Sequence, residues 1–133
     1  MKISSHNHWD PLEEIIVGRA DNARVPTVDA STMSMSYTNY PMEQIKPLEG
    51  PYPQAMIDEA NEDAEELANT LTRLGVIVHR PEVQDTGVEF ITPEWKSTGW
   101  YTWCPRDLLL PLGNLIIETP SPCRARYFET RAY

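Results

Sequence analysis

Tyr101-Thr102-Trp103-Cys104-Pro105-Arg106-Asp107-Leu108-Leu109-Leu110-Pro111-Leu112-Gly113-Asn114-Leu115-Ile116-Ile117-Glu118 is the stretch on which the reading of this chain turns. Leu108 to Leu112 and Leu115 to Ile117 are short apolar runs separated only by Gly113-Asn114, a dipeptide type that closes two-residue hairpins through positive φ. An Arg-Asp pair loads the mouth of this hairpin, with Asp107 at the entrance of its first strand. Beside Trp100, Trp103 and Cys104, that carboxylate is expected to be held partly out of water, where an ionised acceptor binds a planar cation better than at an open surface.

Upstream, the clearest helix opens after Gly50-Pro51-Tyr52-Pro53. Ile57, Ala60, Ala64, Leu67, Ala68, Leu71 and Leu74 recur at three- and four-residue steps and predict an apolar stripe. Asp58, Glu59, Glu62, Asp63, Glu65 and Glu66 fill the other positions and read as a solvated face rather than a binding patch. Acids toward the amino half and Arg73 near the carboxyl end suit the helix dipole, and Gly75 supplies a left-handed stop. Val76-Ile77-Val78 follows as a buried strand, and Ile15-Ile16-Val17, ended by Gly18, reads as another, covered on both faces. Strand, long crossover, helix and strand in that order predict a right-handed α/β unit. Two strands before the hairpin, two within it and one long helix make the class α/β.

The intervening segments are less regular. Residues 19–53 lack a sustained period, and 29–40 is polar, small and followed by prolines, so it is expected to be a long loop, a flap over a site or a mobile connection. Residues 79–100 read as a second loop whose tryptophans pack mainly against the core. His79 at a strand end is assigned a structural role. His6, His8 and Asp10 alternate in the manner of metal ligands along a strand, but solvated polar residues before a strand fit them better, and no metal is expected.

Composition bounds the function. A chain of 133 residues can bury a real core, roughly two-thirds of its unfolded surface. A net charge of -9 argues against a nucleic-acid or anionic-membrane partner. Two cysteines, Cys104 and Cys123, and no signal-like apolar amino end point to free thiols in a cytoplasmic setting. No apolar run approaches the ~20 residues that span a bilayer.

Cys104-Pro105-Arg106-Asp107, Gly113-Asn114 followed by Ile116-Ile117-Glu118, and Arg124-Ala125-Arg126-Tyr127-Phe128-Glu129 resemble the amidinotransferases that move an amidino group from arginine to an amine. Trp9-Asp10-Pro11-Leu12-Glu13-Glu14-Ile15-Ile16-Val17-Gly18 resembles the same family's opening, with His8 where an acidic residue is expected. The resemblance spans nearly all of the chain but only the front part of a family member. It implies a pentein-type fold, an α/β propeller of five repeated modules, with residues 1–133 as the amino-terminal part of that single domain, its first module and incomplete in this chain. A lone module leaves apolar faces that its neighbours bury.

The resemblance further implies substrates, L-arginine and an acceptor amine, and no cofactor; a homo-oligomer stays open. In the family a cysteine thiolate attacks the amidino carbon, ornithine leaves and the amine takes the group, with the catalytic cysteine and histidine falling beyond Tyr133. No catalytic residue is therefore expected in this chain, which alone would be inactive, and Asp107 is the substrate-binding residue, matching the family aspartate that grips the arginine donor. Cys104 and Cys123 are not promoted to nucleophiles, and Arg106, Arg124 and Arg126 are expected to pair with scaffold acids such as Glu118 or Glu129. Tyr101 to Asp107 and Gly50 to Pro53 look closer to the members serving aminocyclitols and other secondary metabolites than to those serving glycine. The alternatives are a guanidine hydrolase of the same fold, releasing citrulline in place of ornithine, and a non-catalytic binding or assembly module.

Overall fold

The computed structural model describes residues 3–133. In chain order its elements are β1 (Glu14–Ile16), β2 (Arg24–Val25), α1 (Ala30–Ser36), α2 (Met42–Ile45), β3 (Gly50–Pro51), α3 (Gln54–Arg73), β4 (Ile77–His79), β5 (Phe90–Ile91), β6 (Lys96–Ser97), β7 (Leu109–Leu112) and β8 (Leu115–Glu118). Short 3₁₀ turns occupy Lys46–Leu48, Pro105–Asp107, Arg124–Arg126 and Glu129–Ala132.

β1 and β4 pair in parallel, Glu14 opposite Ile77 and Ile16 opposite His79, so the predicted strand, crossover and helix unit is present. Its helix, α3, buries Ile57, Ala64 and Ala68 and ends where Gly75 turns to a φ of +89°. The Gly75 amide then donates to the Thr72 carbonyl and the Val76 amide to that of Leu71, which satisfies carbonyls the last turn would leave bare. Leu67 and Leu74, expected in the apolar stripe, are instead 51% and 75% exposed, because the two-strand sheet is too narrow to cover the whole stripe. The same narrowness corrects the expectation that Val76-Ile77-Val78 is a buried strand, since Ile77 is 56% exposed, and β1, expected to be covered on both faces, is only half-buried.

Segment 29–40, expected to be a loop, contains α1. Asp29 caps it, its Oδ1 accepting from the amides of Ser31 at 2.9 Å and Thr32 at 3.0 Å. Local capping and burial of Thr32 outweigh the weak helix propensity of its serines and threonines. Segment 79–100 likewise holds a small hairpin, β5 against β6, so the described residues form eight strands in four separate pairs where four strands were expected. Trp100 is buried as anticipated, but Trp103 is 38% exposed.

The core is divided. Ala20, Ala23 and Ile57 form one cluster, Val25, Val28 and Ile45 a second, and Trp100, Cys123 and Ala125 a third. Tyr52 packs on the first two, and Tyr101 on the first and third. Gly18 brings the end of β1 against residues 101–103: a Cβ there would lie 1.9 Å from the Trp103 carbonyl oxygen, and only a glycine permits that approach. The Arg19 amide donates to Thr102 O at 3.1 Å, which lays the segment leading to Asp107 alongside the end of β1.

The β7–β8 hairpin forms in the expected register, Leu112 opposite Leu115, with Gly113 at φ +59°. Ser5 pairs with Gly113 through two backbone hydrogen bonds of 2.8 and 2.7 Å, tying the amino-terminal segment to the hairpin tip. Leu110, Leu112, Leu115, Ile116 and Ile117 are 40–59% exposed, the open apolar surface expected of a module without its neighbours.

Candidate functional site

Asp107 ends the Pro105–Asp107 turn, immediately before the buried Leu108 and the first strand of the hairpin. Its amide donates to Cys104 O at 3.2 Å and its carbonyl accepts from the Thr119 hydroxyl at 2.9 Å, so the backbone is fixed on both sides. The side chain is 43% exposed, more open than the sequence suggested. One carboxylate oxygen, Oδ2, accepts from Nη1 of Arg126 at 2.8 Å.

Arg126 is the centre of the arrangement. Its side chain is only 1% exposed, and Nε and Nη2 grip Glu129 in a bidentate pair at 2.6 and 2.9 Å. Nη2 also donates to Cys104 O at 3.2 Å, and the guanidinium carbon lies 5.1 Å from the centre of the Tyr101 ring. The Tyr133 hydroxyl donates to Glu129 Oε1 at 3.3 Å and completes the set. The expected pairing of Arg126 with Glu129 is therefore present, whereas Arg124 chooses Asp29, Glu118 accepts from the Thr130 hydroxyl, and Arg106 has no ion pair among the described residues. The bond from Arg124 to Asp29, at 3.0 Å, joins the cap of α1 to the turn that carries Arg126. The supposed loop thus braces the site.

Burial works against the charge of Arg126, but the hydrogen bonds to Glu129 and Asp107 more than offset it and raise its pKa. Burial likewise raises the Glu129 carboxyl, with the Arg126 pair restraining the rise. The Tyr101 hydroxyl is pushed up to about 12 by burial, and that of Tyr133 is raised by burial and by the Glu129 charge. Burial also raises the Cys104 thiol, and the Asp107 carboxylate adds to it, which leaves a poor nucleophile at neutral pH. Cys123 is fully buried.

Two openings lie beside this network. An apolar cavity of about 270 Å³ is lined by Ala20, Tyr52, Met56, Ile57, Tyr101 and Trp103, and another of about 310 Å³ by Ile16, Leu109, Ile116, Glu118, Arg131 and Tyr133 among others. Asp107 lines neither; Tyr101 and Tyr133 connect the network to both. Among the described residues no three His, Cys, Asp or Glu side chains converge as metal ligands. Asp10 is held by Asn7 at 2.7 Å, and His79 by Glu14 at 2.7 Å between the paired strands.

Fold and network define an α/β module whose exposed carboxylate is anchored from beneath by a buried guanidinium. No family model matches the chain. Over 131 residues, 98% of its length, the chain is 44% identical to inosamine-phosphate amidinotransferase 1 of Streptomyces glaucescens and 46% identical to mitochondrial glycine amidinotransferase of Xenopus tropicalis. It superposes on the solved inosamine-phosphate amidinotransferase of Streptomyces griseus with a TM-score of 0.90 at 44% identity, and on an amidinotransferase of the saxitoxin biosynthetic pathway from Microseira wollei with 0.84 at 36%, each match covering 98% of this chain. Over nearly its whole length the chain is therefore similar to amidinotransferases, and it shares the pentein-type α/β architecture of the part of them that it matches. It spans 38% of the first curated relative, 31% of the second and 38% of each solved chain. Near-equal identities to aminocyclitol-phosphate and glycine enzymes do not divide in favour of either. No helix among the described residues is long and apolar enough to cross a membrane.

Proposed function

We propose that the protein is an arginine:amine amidinotransferase and that this chain contributes its front part, in which Asp107 holds the donor's guanidinium. The observation that carries the reading is the state of Asp107: a half-exposed carboxylate on a fixed backbone, with one oxygen tethered to buried Arg126 and the other without a hydrogen bond among the described residues. Arginine's guanidinium is planar, delocalised and always charged, so moving its amidino carbon demands an orienting carboxylate as well as a nucleophile and a proton shuttle. Asp107 supplies the first. Neither cysteine of this chain suits the second, since Cys104 is held as a thiol and Cys123 is buried, so the nucleophile is assigned to another part of the protein. The names of the relatives suggest acceptors of two kinds, a phosphorylated inosamine and glycine.

The test uses the protein purified from its native source, at whatever length its intact mass gives. Incubation with L-arginine and either acceptor should release ornithine in step with amidino transfer; citrulline would reveal a hydrolase, and arginine binding without turnover a binding module. Asp107→Asn should raise KM for arginine by roughly 10- to 100-fold, the range for a lost charged hydrogen bond of about 1.5–3 kcal/mol, and leave the fold intact. An unchanged KM would remove Asp107 from the donor site.

A further inference from the structure

Resting on that reading of Asp107, we infer that Arg126 is a positioning residue for the donor: by fixing one oxygen of Asp107 it determines which oxygen faces arginine. The backbone of Asp107 is already held on both sides, so the orientation of its carboxylate is the remaining freedom, and the 2.8 Å bond from Arg126 removes it. At 1% exposure Arg126 is closed to a small molecule and acts through its neighbour. Its own fork cannot turn, because Glu129 holds Nε and Nη2 while Cys104 O takes the second Nη2 hydrogen.

Charge supports the same role. Arg126 close to Asp107 would, by itself, cancel the carboxylate and repel a second guanidinium. Glu129, buried and bidentate, cancels Arg126 instead, so the trio carries a formal charge of one minus and Asp107 keeps its full attraction for a cationic donor. Two carboxylates thus serve two guanidiniums, one resident and one arriving.

The experiment compares three variants of the native full-length protein: Asp107→Asn, Arg126→Lys, and the double variant Arg126→Met with Glu129→Leu. The double variant replaces a buried ion pair with apolar groups of similar size, a change that commonly preserves folding, while Arg126→Lys keeps a charge for Glu129 but loses the fork that spans both acids. In both, KM for arginine should rise about tenfold while kcat and KM for the acceptor amine stay within about twofold, the pattern of a weakened donor contact. A structural role alone would lower the thermal midpoint and the active fraction, hence kcat, with KM for arginine unmoved. If Asp107→Asn raises KM and the two Arg126 variants leave it unchanged, the positioning role is overturned and the reading of Asp107 survives. Should Asp107→Asn also leave it unchanged, both fall.

Discussion

Arg126→Ala is the substitution to which the structure attaches the largest cost. It removes a side chain that is 1% exposed and strands Glu129, whose side chain is 3% exposed, with no cation at hand. Breaking a buried pair by deleting one partner costs about 3–5 kcal/mol, a large share of the roughly 5–15 kcal/mol that hold a domain together. The loss should also depend on pH in a determined direction. Burial already raises the Glu129 carboxyl, and losing Arg126 raises it further, so the variant's folded state binds a proton that its unfolded state does not. Its stability therefore declines as pH rises above the ordinary glutamate value toward the raised one. Urea denaturation of wild type and variant between pH 4.5 and 8 reads the difference. The deficit should be greatest near neutrality and shrink toward the acid end. A deficit below about 1 kcal/mol, or one independent of pH, would refute the view that Glu129 is a buried charge held by Arg126.

Gly18→Ala should destabilise by about 1–3 kcal/mol or more, because the new Cβ meets backbone atoms of Trp103 that cannot rotate aside; an unshifted denaturation midpoint would contradict the close approach. Asp29→Ala should cost about 1 kcal/mol at neutral pH through loss of the α1 cap. Burial favours protonation of Asp29, but hydrogen bonds from Ser31, Thr32 and Arg124 prevail and lower its pKa. The contribution is therefore complete above the ordinary aspartate value and lost as pH falls through the lowered one. Calorimetry in acid should show wild type converging on the variant, and a constant gap would argue against the cap.

What could be read without coordinates had a period or a punctuation mark. The β7–β8 hairpin announces itself through Gly113-Asn114 between two apolar runs, and α3 through its stripe and Gly75. α1 has no such pattern: its signal was the single N-cap residue Asp29, unsupported by an acid three residues on. β2, β3, β5 and β6 are two residues each, too short for alternation to register. At the site, the three-residue spacing makes Arg126 and Glu129 foreseeable partners, whereas nothing local links Arg126 to Asp107 across the hairpin. Asp107 was legible as a carboxylate near a strand; that one of its oxygens is already engaged was not.

The pairing of Ser5 with Gly113 and of Glu14 with Ile77 has a consequence for vectorial synthesis. Each joins an early residue to one translated much later, so β1 has no partner until residue 77 leaves the ribosome. At roughly 5–20 residues per second that wait is about 3–13 s, during which Ile15, Ile16 and Val17 stand unprotected in a nascent chain. Codon choice between positions 17 and 77, and chaperone supply over that interval, thereby become determinants of yield that no contact in the finished fold would reveal.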